Sequence, residues 1–223
     1  MTTRVTLISP ALSTALREAR FGDGPLDPAG LRAAEAARDA FADREGATAP
    51  GTLADADGKG ATAPGTLADA DGEGGGSGRV FASPAERCRQ TAAALGLAAE
   101  PLDDLRSCAM GRWHGRRLDE VAAAEPEAVA AWLVDPAAAP HGGEPLESLI
   151  TRLGRWLDGL GADGSPASGR LVAVAEPDVV RALTVHALGA APGAFWRLDV
   201  LPLTATELSG RNGRWNVRVG RPL

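Results

Sequence analysis

Hydrophobic positions along the chain fall into two periods. RVTLIS (4–9), RVFAS (79–83) and GRLVAVAE (169–176) are short apolar runs with β-branched residues, the pattern of strands buried on both faces. Between them, apolar residues recur at helical spacing. DPAGLRAAEAARDAFA (27–42) has Pro28 near its start, and PAERCRQTAAALG (84–96) is opened by Ser83-Pro84, with Ser83 the expected N-cap, and closed by Gly96. RRLDEVAAAEPEAVAAWLV (116–134) reads as helix broken at Pro126. EPLESLITRLGRWLDGL (144–160) puts Leu146, Leu149, Ile150, Leu153, Trp156, Leu157 and Leu160 on one stripe, and DVVRALTVHALG (178–189) ends at Gly189. TATELSG and RWNVRVG flank Arg211-Asn212-Gly213, a hairpin signal. Strands alternating with helices predict an α/β fold, a three-layer α/β/α sandwich with a mainly parallel central sheet and a late antiparallel hairpin.

One segment breaks the pattern. GATAPGTLADADGK (46–59) is repeated at once as GATAPGTLADADGE (60–73), followed by GGGSG. Leu53 and Leu67 are its only large apolar residues, too few to offset the entropy of ordering it. The expectation is a single domain formed by 1–45 and 79–223, with 46–78 a disordered insert. Its Asp-x-Asp-Gly stretches have the form of half a calcium loop but lack the terminal bidentate Glu and the helix pair. No metal and no cofactor is expected.

The 223 residues carry a net charge of −6, which argues against a nucleic-acid or polybasic membrane-surface protein. Five acids of the insert (Asp55, Asp57, Asp69, Asp71, Glu73) stand against Lys59, so most of that charge lies there and the remainder is near neutral. The exclusion of nucleic acid rests instead on the absence of a basic cluster or aromatic–basic interleaving. Two cysteines make no disulfide framework. The N-terminal run reads as a first strand and not as a signal peptide, no apolar stretch is long enough to span a bilayer, and the expected location is cytoplasmic. Lys59 is the only lysine and there is no tyrosine, the bias of a GC-rich genome. An arginine therefore counts as a ligand only on a positional argument.

The order of motifs supplies one. RVTLISPALSTALREARFGDGPLDPAG (4–30), ASPAERCRQTA (82–92), LRSCAMGRWHG (105–115), HGGEPLESLITR (141–152) and LVAVAEPDVVRALTVHALG (171–189) resemble, in order, the landmarks of the histidine phosphatase superfamily, the phosphoglycerate-mutase-like fold. That resemblance implies a pocket at the carboxyl ends of the parallel strands. It places Arg87 where the family has a phosphate-gripping arginine. It also sets Ser9-Pro10-Ala11 where the family has Arg-His-Gly, Glu176 at the second histidine, and Ser107 at the general-acid glutamate. Proline offers neither a nucleophilic nitrogen nor an N–H, and a carboxylate repels phosphate. Groups that act as a unit fail together, so the phosphohistidine mechanism is not expected.

The expected pocket residues are Ser9, Ser13, Arg87, Ser107, His141 and Glu176. Arg87 reads as an anion ligand. Glu176 reads equally as a functional carboxylate or as the partner of Arg87 in an internal ion pair. The serines, lacking a legible histidine–acid set, read as hydrogen-bonding groups. Cys88 and Cys108 read as free thiols, and the five tryptophans as core or edge packing. The leading expectation is a pseudoenzyme that binds a small anionic metabolite or a protein partner. Its rivals are an enzyme repurposed around Glu176, Asp178, Ser107 or His141, and a divergent phosphatase of small phosphate esters.

Overall fold

Apolar runs at residues 3–8, 79–82 and 170–174 are the middle of a six-stranded sheet in a computed structural model that describes residues 2–45, 78–160, 170–211 and 213–223. In chain order the elements are β1 (Thr3–Ile8), α1 (Thr14–Arg17), α2 (Pro28–Glu45), β2 (Arg79–Ala82), α3 (Glu86–Ala94), β3 (Glu100–Pro101), α4 (Leu118–Ala124), α5 (Pro126–Val134), α6 (Leu146–Gly159), β4 (Arg170–Val174), α7 (Pro177–Leu188), β5 (Thr204–Arg211) and β6 (Arg214–Pro222). The strand order is β3-β2-β4-β1-β5-β6. β1, β2, β3 and β4 are parallel neighbours. β5 runs antiparallel to both β1 and β6, closing the sheet with the expected hairpin. The repeat at 46–73 lies outside the described residues.

Period-two alternation sorts each central strand onto two faces. Val5, Leu7, Leu171 and Ala173 point to one side, where Leu149, Leu153 and Leu157 of α6 and Val179 and Leu183 of α7 cover them. Ile8, Val80, Val172 and Val174 point to the other, against Phe41 of α2 and Cys88 and Ala92 of α3. Helices on both faces make the three layers. On the α6 stripe Leu146, Leu149, Leu153 and Leu157 are buried, while Ile150 and Trp156 sit at its half-buried edge. Gly189 ends α7 in the left-handed region at φ 59°.

Two local expectations differ. α3 starts at Glu86 with Ala85 as its cap residue, so Ser83 is not the N-cap. The Ser83 hydroxyl instead sits buried at the end of β2 and accepts from the Ala85 N–H at 3.5 Å. β3 was not anticipated: its two residues are exposed at the sheet edge, and neither its length nor its Glu-Pro sequence carries a strand signal. Among the described residues no helix is long and apolar enough to cross a membrane.

Candidate functional site

The parallel strands end together, and the residues just beyond those ends set the chemistry there. β4 runs into Ala175, whose N–H donates to Ile8 O at 2.9 Å, and this pins Glu176 above the sheet centre as the first residue before α7. Pro177 at the first helical position fixes the turn. Across the crevice, the first turn of α3 presents Arg87. The two side chains meet: Arg87 Nε lies 2.8 Å from both Glu176 carboxylate oxygens, and Nη2 is 2.5 Å from Oε2. Side-chain exposure is 8% for Arg87 and 1% for Glu176, so this is a buried ion pair. The Nη1 group donates to Gly22 O at 2.9 Å, and the Cys88 thiol donates to Glu176 Oε1 at 3.3 Å.

Electrostatics follow from that burial. Desolvation pushes the Glu176 carboxyl up and the guanidinium pulls it back. Burial works to lower Arg87 too, but the Glu176 charge outweighs it and the guanidinium is held more firmly protonated. Burial first, then the Glu176 carboxylate, pushes the Cys88 thiol well above its usual range.

Beside the pair opens a cavity of about 510 Å³. Leu16, Met110, Leu118, Leu146 and Leu149 form its aliphatic wall, and Phe21, Trp132, Phe195 and Trp196 its aromatic one. Arg20, Asp23, Arg87, Ser107, His114, Glu176, Asp178 and Arg181 are its charged and polar lining. Trp132 and Trp196 thus do more than pack the core, meeting edge to face at 4.6 Å while lining the cavity. Trp113 alone of these indoles is fully buried.

Ser107 donates to Asp178 Oδ2 at 2.6 Å, and the Cys108 N–H donates to the same oxygen at 2.7 Å. Asp178 thereby ties the 105–115 loop to the start of α7. Behind it, Arg152 grips Glu144 at 2.9 and 3.0 Å and donates to Asp104 O and Arg106 O, holding the loop from the other side. Burial, with help from Asp178 and Glu144, pushes the Cys108 thiol up to about 12.

Of the six expected pocket residues, Arg87, Ser107 and Glu176 line the cavity, and Ser9, Ser13 and His141 do not. Ser9 is buried at the end of β1, where its hydroxyl donates to Leu201 O and accepts from the Thr204 N–H. Ser13 caps α1, accepting from the Leu16 N–H at 3.2 Å. His141 is 1% exposed, packed 5.1 Å from the Trp113 ring. Its Nδ1 accepts from the Gly143 N–H at 2.9 Å, and Nε2 has no partner among the described residues. Burial, then nearby Arg112, pushes this imidazole below its usual range. Backbone contacts turn it inward: a Cβ on Gly143 would lie 1.8 Å from Ala109 O, so only glycine lets the 141–144 loop close on 109–112. Asp23, Arg20, Arg181 and the aromatic wall were missed in the sequence, because they come from separate segments with no shared spacing. Among the described residues no group of three His, Cys, Asp or Glu side chains is placed to hold a metal ion.

The family model of the histidine phosphatase superfamily (branch 1) matches residues 70–220, more than half of the chain. This chain belongs to the histidine phosphatase superfamily. Among curated relatives of this superfamily member is the bifunctional protein Rv2228c of Mycobacterium tuberculosis, 32% identical over 139 residues. That stretch is 60% of this chain and only 38% of the relative's length. Solved structures of phosphatases share the fold. A mycobacterial glucosyl-3-phosphoglycerate phosphatase bound to VO3 superposes with a TM-score of 0.72 at 22% identity, covering 99% of this chain and 100% of that one. A putative alpha-ribazole-5'-P phosphatase from Escherichia coli follows at 0.70 and 18%, covering 99% and 98%. A phosphoserine phosphatase mutant from Entamoeba histolytica in complex with phosphoserine gives 0.72 at 13%, covering 97% and 95%. At such identities the likeness is one of fold.

Proposed function

We propose that this superfamily member has given up phosphohistidine chemistry and acts as a binding protein, holding a small molecule in the cavity at the strand ends. The observation that carries the reading is the lock between Arg87 and Glu176. Phosphoryl transfer needs positive and donor groups converging on three charged oxygens, with a nucleophile in line. Here the guanidinium already faces a carboxylate from 2.5 to 2.8 Å, and Asp23 and Asp178 add further negative charge to the same cavity. Pro10, at the position matched to the nucleophile, has no nitrogen to attack with. Ser107, at the position matched to the acid, donates its hydrogen bond to Asp178, and a serine hydroxyl is too weak an acid to protonate a leaving group. A cavity of about 510 Å³ suits a small molecule better than a protein surface.

One observation favours a second reading, a divergent phosphatase. His114 lines the cavity, and its ring lies against Gly22, the residue whose carbonyl accepts from Arg87. The purified protein should be assayed against p-nitrophenyl phosphate and a panel of phosphate esters that includes phosphoserine. The expected result is no turnover above that of Arg87→Ala. Turnover abolished both by Arg87→Ala and by His114→Gln overturns the binding-protein reading in favour of the phosphatase.

A further inference from the structure

We propose that the cavity selects an organic cation, an apolar or aromatic body carrying an ammonium group, in place of an anionic metabolite. The inference rests on the binding-protein reading above and names its ligand class.

The lining arginines are already engaged. Arg87 holds Glu176 and Gly22 O. Arg20 holds Glu18 at 2.8 Å and Gly115 O at 2.7 Å. Arg181 donates to Leu198 O at 2.7 Å and lies over the Phe195 ring. Two carboxylates are in the opposite position. Asp178 accepts from Ser107, from the Cys108 N–H and from its neighbour's N–H, all neutral donors. Asp23 likewise accepts from the Gly24 and Glu86 N–H groups. Among the described residues no guanidinium makes a direct contact with either. Among the lining guanidiniums Arg181 alone is bonded only to neutral groups, so an anion entering here meets one such cation against two such carboxylates. The guanidiniums that feel those carboxylates, Arg87 for Asp23 and Arg152 for Asp178, are bonded to Glu176 and Glu144, and the balance favours an ammonium.

The walls agree with that sign. Phe21, Trp132, Phe195 and Trp196 bring four aromatic rings to the same cavity as the carboxylates. Aromatic faces attract cations, by about 0.5–2 kcal/mol each depending on desolvation, and bury apolar bodies of any charge. An aliphatic wall from Leu16, Met110 and Leu146 completes a lining in which only the polar end distinguishes ligands by charge.

The test compares three probes of one size: 2-phenylethylamine as the cation, 2-phenylethanol as the neutral isostere and phenyl phosphate as the anion. Saturation-transfer NMR titrations at low and moderate salt should give a Kd for the amine at least tenfold below those of the other two. Asp178→Asn and, separately, Asp23→Asn should each weaken the amine several-fold more than they weaken the alcohol, with circular dichroism confirming the fold. Equal affinity for amine and alcohol, tighter binding of the phosphate, or no binding of any probe at millimolar concentration overturns the cation assignment. Hydrolysis of phenyl phosphate is a separate readout, and it alone overturns the underlying binding-protein reading.

Discussion

Removing Arg87 and removing Glu176 should have different pH signatures, although each breaks the same ion pair. Breaking a buried pair by deleting one partner costs about 3–5 kcal/mol, because the other charge stays behind. Exposures of 8% and 1% leave little solvent to screen it. In Arg87→Met the stranded group is a carboxyl, which escapes by taking a proton. Protonating a glutamate of ordinary pKa about 4.3 costs about 3.7 kcal/mol at pH 7 but only about 1 kcal/mol at pH 5, at about 1.36 kcal/mol per unit. The sign comes from linkage: the stranded carboxyl has a folded pKa raised above its unfolded value, so stability is retained below the unfolded pKa and lost as pH rises. In Glu176→Gln the stranded group is a guanidinium, which does not deprotonate, so the cost of leaving it unpaired is not relieved at either pH. Replacing both (Arg87→Met with Glu176→Leu) should return the protein to within about 1 kcal/mol of the parent or above it. Urea unfolding measures this: with a slope of about 2 kcal/mol/M, a loss of about 4 kcal/mol moves the midpoint by about 2 M. Single substitutions that each lose under about 1 kcal/mol, or an Arg87→Met deficit that is equal at pH 5 and pH 7, refute the reasoning.

Three further outcomes are expected. His141 is buried neutral with its pKa pushed down, so stability should be full above its unfolded value near 6.5 and fall as pH drops below it; His141→Asn, which keeps an acceptor for Gly143 but does not titrate, should flatten that limb of the pH–stability curve. Gly143→Ala drives a methyl to 1.8 Å from Ala109 O, and thermal unfolding should show a loss above about 4 kcal/mol, with Gly142→Ala, which meets no atom within 4 Å, much milder despite its positive φ. Both thiols should resist a disulfide-exchange reagent at pH 8 in the native protein and react only on unfolding, Cys108 because its pKa is about 12 and Cys88 because it is buried against Glu176.

The fold was largely legible because its signals are local and redundant. RVTLIS, RVFAS and LVAV announce buried strands by composition, and the α6 leucines announce a helix by period. β3 was illegible because two exposed residues at an edge carry no apolar pattern. At the site, Arg87, Ser107 and Glu176 were legible through the resemblance, because they stand at the family's motif positions; Arg87 in the first turn of α3 and Glu176 just past β4 also face one crevice. Ser9 lies just past a strand too, but Thr204 and Leu201 from the neighbouring connection capture its hydroxyl. His141 was misdirected by its glycine-rich loop. That flexibility does not open the ring to the pocket; it lets the backbone pack so closely that the ring is folded in behind Trp113. The aromatic wall and Asp23 were illegible because no periodicity links Phe21, Trp132 and Phe195.

On the proposed reading, the ion pair also explains how such a site does without phosphate. A guanidinium at the position of Arg87, only 7% exposed, is tolerable in a phosphatase because an anion neutralises it for part of each cycle. Without that visitor the charge is a standing liability of several kcal/mol, the same penalty estimated for Glu176→Gln. A carboxylate on the facing strand end removes it from within the chain, and Pro177 and the Ala175–Ile8 bond hold that carboxylate at the right height. On the proposed reading, Pro10 and Glu176 are therefore one coupled change: the first removes the nucleophile, and the second supplies a permanent counter-anion in place of the substrate. The remaining carboxylates, Asp23 and Asp178, have no such internal partner among the described residues. On that reading the charge left to be matched from outside is negative, and the ligand that would complete this pocket is the counterpart of a carboxylate.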